Sequence, residues 1–114
     1  MRILVADDEE AEARAIQNEL ESQGHVVTAV RDGKKAIETL EAENFECAFI
    51  DLMMPYVDGF QVLQWIRNHP TKNRMWVALM TAQANDIDPA TRNATGADRL
   101  IAKPIDLTKL FPSN

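Results

Sequence analysis

The sequence predicts an α/β fold, a doubly wound five-stranded parallel sheet with helices on both faces and a shortened last helix. Three observations carry this. Short runs of aliphatic and β-branched residues recur five times along the 114 residues, and unbroken apolar runs suit strands that are buried on both faces of a parallel sheet. Segments with apolar residues three and four apart lie between the runs, which is the spacing of one helical face. Glycine and Asp-Gly pairs stand at the junctions, where turns are needed. Strands alternating with helices imply right-handed crossovers.

The first strand is Ile3-Leu4-Val5-Ala6. A helix follows in which Ala13, Ile16 and Leu20 face inward, Glu12, Arg14, Gln17 and Glu19 face outward, and Gly24 ends the turn. Glu9 and Glu10 read as an acidic first turn, favoured by the helix dipole. Val26-Val27-Thr28-Ala29-Val30 is the second strand, and Asp32-Gly33 opens a helix carrying Ala36, Ile37 and Leu40. The third strand, Ala48-Phe49-Ile50, ends on Asp51, and Asp58-Gly59 precedes a helix with Phe60, Leu63 and Ile66. Trp76-Val77-Ala78-Leu79-Met80 is the fourth strand. Asp88-Pro89 pairs a cap with a first-turn proline, opening a helix over 90–95 that is poor in strong helix formers and stops at Gly96. After the fifth strand, Leu100-Ile101-Ala102, Asp106 can cap a helix of about two turns that carries Leu107, Leu110 and Phe111 and is ended by Pro112.

Composition limits the function. The chain is one domain, residues 1–114, long enough for a single core. Eighteen acidic against twelve basic residues give a net charge of −6. That balance opposes direct binding to nucleic acid or an anionic membrane and favours protein partners or cations. One cysteine, Cys47, excludes an internal disulfide, and there is no signal-peptide pattern or long apolar span, so a reducing cytoplasm is the expected setting. Cys47 reads as a small buried apolar residue, and His25 and His69, beside turns, read as solvent-facing. Trp65 and Trp76 read as partly buried anchors, and Met53 and Met54 as packing side chains.

In doubly wound sheets ligands bind at the carboxyl ends of the strands. Asp7 and Asp8 follow the first strand, Asp51 ends the third, Thr81 the fourth and Lys103 the fifth. All would meet on one rim. Three carboxylates repel unless a cation joins them, and Mg²⁺, or Mn²⁺ in its place, prefers such oxygen ligands. Asp8 and Asp51 are the expected direct ligands, with Asp7 acting through water. A cation also lets a carboxylate accept a phosphoryl group, with Lys103 on one phosphate oxygen, the Thr81 hydroxyl on another, and Ala82 leaving room for entry.

The combination of Asp7-Asp8, Asp51 in "DLMMPYVDG", Thr81-Ala82 and Lys103-Pro104 closely resembles the receiver domain of two-component response regulators, from residue 2 to about residue 111. The resemblance implies a flavodoxin-like strand order 2-1-3-4-5, as in chemotaxis regulators. It implies phosphorylation of Asp51 by a histidine kinase or phosphotransfer protein, Mg²⁺ on Asp8 with the Met53 main-chain carbonyl completing the protein ligands, and Thr81 and Lys103 on the phosphoryl group. It further implies a cis Lys103-Pro104 peptide and a downstream protein or effector domain as output. Weak autodephosphorylation is the most enzymatic activity expected.

Departures from the family pattern bear on output. Leu100 stands where most members carry Tyr or Phe, and Ile105 where Phe is common. The last helix is about half the usual length, leaving apolar surface near Leu100 and the helix after Pro89 for self-association, as a homodimer, or for a partner. Two other readings stand beside the receiver. One is a receiver-shaped module used only for binding, which Leu100 favours. The other is an aspartyl-phosphate phosphatase, which generally needs a second acid where this chain has Met53. The chain is expected to be either a stand-alone receiver or an N-terminal receiver separated from an effector.

Overall fold

Five strands form one parallel sheet in the order β2-β1-β3-β4-β5 in the computed structural model, which describes residues 1–82, 90 and 94–112. The elements follow one another as β1 (Arg2–Ala6), α1 (Glu10–Ser22), β2 (Val26–Val30), α2 (Gly33–Ala42), β3 (Cys47–Asp51), α3 (Gly59–Asn68), β4 (Trp76–Thr81) and β5 (Arg99–Ala102). Each predicted strand is present, within two residues of its expected ends. The predicted cap at Asp88-Pro89 and the middle of the helix it opens lie outside the described residues. Gly96, the expected stop, has φ +81°.

Alternation along the strands divides the core into two layers, because successive side chains point to opposite faces. Leu4, Ala6, Ala48, Ile50, Val77 and Leu79 pack under α2 and α3 with Ala36, Leu40, Leu63 and Ile66. Ile3, Val5, Phe49, Ala78 and Met80 pack on the other face under α1 with Ala13, Ile16 and Leu20. Each fully buried aliphatic side chain contributes about 1.5–3 kcal/mol. The central strands are therefore fixed from both sides, and so are the residues that end them.

Local chemistry sets where the helices begin and end. Asp32 caps α2 by accepting from Lys35 N at 2.7 Å. Asp58 and Gln61 form a reciprocal capping box at the start of α3, with both hydrogen bonds at 2.9 Å. Gly24, with φ +92°, turns the chain after α1 as expected.

The C-terminal segment departs from expectation. In place of two helical turns there is one 3-10 turn, Leu107–Lys109, in which Asp106 Oδ1 accepts from both the amide and the hydroxyl of Thr108. Its apolar residues are nevertheless covered. Leu110 is buried, and Phe111 packs against Phe49 and Trp76, with ring centroids 5.4 and 5.6 Å apart. The large apolar side chains exposed among the described residues are Met1, Val26, Met53 and Tyr56. The middle of the helix after Pro89, which with Leu100 would frame the expected apolar patch, lies outside the described residues, and Leu100 itself is half-buried.

Both histidines are half-buried, which corrects the solvent-facing expectation. His25 lies against Phe111, and His69 lies against Trp65 while its Nδ1 accepts from Thr71 N. Aromatic neighbours outweigh the turn location in both cases.

Candidate functional site

Strand order reverses between β2-β1 and β1-β3, so the carboxyl ends of β1 and β3 flank the crevice where such sheets bind ligands. Ala6 pairs with Ile50, and continuing that register by one residue sets Asp7 beside Asp51. Asp51 pairs with Met80 and Thr81 with Ala102, so Thr81 and Lys103 follow on the same rim. The ladder runs past the strand ends, with Asp7 N donating to Val30 O, Leu52 N to Met80 O and Lys103 N to Thr81 O at 2.9–3.1 Å. These bonds hold the backbone of the site as firmly as the sheet itself.

Carboxylate oxygens of Asp7, Asp8 and Asp51 lie within 4.8 Å of one another. Asp7 and Asp51 are buried, and Asp8 is exposed. Asp51 Oδ1 accepts from Met53 N at 3.2 Å and Oδ2 faces Lys103 Nζ at 3.2 Å. Asp7 Oδ1 accepts from Glu9 N at 3.0 Å, while its Oδ2 is buried with no hydrogen-bond partner among the described residues. A buried, unpaired carboxylate oxygen among hard donors fits a small divalent cation. Soft-metal ligands play no part, since the Met53 side chain is 71% exposed and that of Met54 is buried in the core. The packing role expected for Met53 therefore holds only for Met54.

The electrostatics match. Burial, reinforced by the neighbouring Glu12 carboxylate, pushes Asp7 from 3.8 up to about 8. Burial also raises Asp51, against the opposing pull of Lys103. Lys103 would be lowered by its own burial, but Glu12, Asp7 and Asp51 together raise it, so the ammonium is held charged. The Lys103-Pro104 peptide is cis, as the resemblance implied.

Reading the sequence missed one residue. The amphipathic spacing puts Glu12 on the outward face of α1, yet its Oε1 lies 2.7 Å from Lys103 Nζ. Burial alone would raise Glu12, but its neighbours Asp7 and Lys103 hold it below its ordinary value. A signal was available: stepping back four residues from Leu20 and Ile16 along the buried stripe reaches Glu12.

Comparison with known proteins agrees with this geometry. The family model described as "Response regulator receiver domain" matches residues 3–113. Regulatory protein VanRc of Enterococcus gallinarum is 38% identical over 106 residues, covering 92% of this chain and 44% of that protein. Transcriptional regulatory protein TcrA of Mycobacterium tuberculosis is 32% identical over 113 residues, covering 97% of this chain and 43% of that protein. The chain thus spans less than half the length of these curated relatives. Among solved structures, the receiver domain of the Francisella response regulator 1452 superposes with TM-score 0.86 at 29% identity, covering 96% of this chain and 88% of that one. The Vibrio cholerae chemotaxis response regulator CheY4 shares the fold, with TM-score 0.87 at 20% identity, covering 94% and 89% of the two chains. Phosphorylation and Mg²⁺ binding at an acidic cluster are typical of this family, and the three clustered aspartates suit both. With the strand order, the rim of aspartates and the matched length in agreement, the chain belongs to the response regulator receiver family.

Proposed function

We infer that Asp51 is the phosphoryl acceptor of this receiver. One observation carries the reading. Asp51 is a buried carboxylate at a strand end, with one oxygen on Met53 N and the other facing the Lys103 ammonium, inside a cluster of three aspartates. An Asp51 oxygen attacks the phosphorus of a phosphohistidine on a histidine kinase or phosphotransfer protein. The P–N bond breaks, the imidazole leaves with the electron pair, and it takes a proton from solvent. Lys103 and the Thr81 hydroxyl bind oxygens of the transferred group, and the exposed Ala82 leaves an entry path.

Asp8, Asp51 and the Met53 carbonyl would hold Mg²⁺ or Mn²⁺, with Asp7 acting through water. The cation supplies charge neutralisation for both the attacking oxygen and the incoming phosphate. Slow attack of water on the acyl phosphate returns free Asp51. The output is a protein partner or a linked effector domain, a reading supported by regulatory relatives that are more than twice the length of the matched region. No helix among the described residues is long and apolar enough to cross a membrane, and a reducing cytoplasm is the setting that goes with the free cysteine at Cys47. A homodimer remains part of this reading as one form that output could take.

Altered switching is a second reading, favoured by Leu100, which packs partly buried against the α2–α3 layer in place of an aromatic ring. A phosphatase is disfavoured, because the residue two after Asp51 is Met53 and offers no acid.

With acetyl phosphate and Mg²⁺ the protein gains one phosphoryl group, observed by intact mass, and Asp51→Asn gains none. EDTA abolishes uptake in the parent. Labelling that persists in Asp51→Asn would place the acceptor elsewhere.

A further inference from the structure

Glu12 has no part in the phosphoryl chemistry described above, yet it is the nearer of the two carboxylates that meet Lys103. Its Oε1 is 2.7 Å from Nζ, against 3.2 Å for Asp51 Oδ2. The side chains of Glu12 and Lys103 are only 17% and 16% exposed, so water screens the ion pair poorly and its attraction is correspondingly strong. The two partners also differ in freedom. Glu12 is carried on α1, which Ala13, Ile16 and Leu20 anchor to the sheet, whereas Lys103 reaches the site on a long flexible stem from the loop after β5.

We propose that Glu12 is a positioning residue that holds the Lys103 ammonium back from the phosphoryl group, lowering the affinity of the site for that group while raising its affinity for a divalent cation. The inference rests on the reading of Asp51 as acceptor and Lys103 as its phosphate partner. Its physics is a competition for one positive charge. A phosphoryl group on Asp51 must draw Lys103 from an anion that already holds it, and Glu12 adds its own repulsion to the incoming charge. A cation experiences the reverse, because Glu12 offsets the repulsion from Lys103 and adds negative potential. The scaffold alternative, in which Glu12 only keeps Lys103 aimed at Asp51, makes a different prediction. Removing a scaffold would weaken phosphoryl binding.

Calorimetric titrations on the full chain separate the two. Mg²⁺ is titrated first, and beryllofluoride, a non-covalent phosphoryl mimic, is then titrated at saturating Mg²⁺. Glu12→Gln should tighten beryllofluoride about fivefold, at the low end of couplings between neighbouring sites, and weaken Mg²⁺ by a similar factor. Glu12→Leu removes the charge with a good helix former and should move both affinities the same way, so the outcome does not depend on one variant folding. Glu10→Gln is the control. It removes the same formal charge from the same helix, at a residue paired with Arg14 and Arg31 rather than Lys103, and should leave both affinities within about twofold of the parent.

Opposite shifts in the two affinities support the proposal. Affinities that fall together, or that stay at parental values in both Glu12 variants, overturn it. Failure of the underlying reading looks different: a parent that does not bind beryllofluoride, or a Lys103→Ala variant that binds it as the parent does, removes the acceptor assignment and this inference with it. A parent that binds and a Lys103→Ala variant that does not confine any failure to Glu12.

Discussion

Tyr56 is the single non-glycine residue with left-handed backbone among the described residues, at φ 67°, and its ring is 96% exposed. Val57 N donates to Pro55 O across it at 2.8 Å, closing a tight three-residue turn between Asp51 and α3. An L-residue is disfavoured there because its Cβ crowds the neighbouring carbonyl oxygen, and a β-branched side chain fares worse. The exposed ring gains no burial to offset that cost. Tyr56→Val should lose about 1 kcal/mol in urea unfolding, whereas Tyr56→Gly should be close to neutral, relief of strain balancing the greater freedom of the unfolded chain. Equal losses in the two variants would show that the ring, rather than the backbone, matters at this position.

At the scale of elements, the junction of β3 with α3 is set by a close approach at Gly59. Its N–H donates to Leu52 O at 2.9 Å, and a Cβ added there would lie 2.5 Å from Asp51 O and 2.8 Å from Leu52 Cα. Both are backbone atoms, so the chain must shift. Gly59→Ala should cost about 2 kcal/mol, in the range of overpacked sites, and should also slow phosphoryl uptake, because the displaced segment carries Asp51. Gly24→Ala provides the contrast. Nothing lies within 4 Å of its added Cβ, but φ is +92°, so it should cost about 1 kcal/mol and leave uptake unchanged. Urea unfolding and acetyl phosphate labelling of both variants test the distinction, and a fully active Gly59→Ala protein would count against it.

The same scale shows what could be read from the sequence. Unbroken apolar runs made the strands legible, and with strands placed, the rim that gathers Asp7, Asp8, Asp51, Thr81 and Lys103 followed. Glu12 was hidden because a glutamate on an amphipathic helix is ordinarily solvated, and only the position of Lys103 in space makes it a partner. The C-terminal turn misled for a local reason. Leu107, Leu110 and Phe111 have helical spacing, but the Asp106 carboxylate satisfies the Thr108 amide and hydroxyl in a tight turn, and Pro112 blocks a further helical turn. Arg67 was equally illegible. It donates to the carbonyl oxygens of Asn73, Met75 and Gly96 and pairs with Asp98, contacts that arise only once α3 lies beside β4 and β5.

For the whole molecule, the acidic rim makes stability depend on pH and on the cation together. Asp7, whose pKa in the folded protein is raised from 3.8 to about 8, favours its protonated form there, so its stabilising contribution is full below the unfolded value and is lost as pH rises through the folded one. Asp51 is raised and acts in the same direction. Glu12 is lowered, and its contribution runs the other way, but it is lost only as pH falls below the ordinary carboxylate range. Between about pH 5 and pH 8, therefore, the metal-free protein should lose stability as pH rises, with Asp7 setting the window. Mg²⁺ needs the same carboxylates ionised, so it competes with the proton and its stabilisation should grow over that window, following RT ln(1 + [L]/Kd). Thermal unfolding in EDTA and in excess Mg²⁺ checks both parts: Tm in EDTA should fall from about pH 5 to pH 8, and the gap between the two curves should widen. Asp7→Asn, which cannot ionise, should flatten the EDTA curve and shrink the gap. A parental Tm in EDTA that rises over this window, or a gap that is constant with pH, would mean that Asp7 does not carry the linkage.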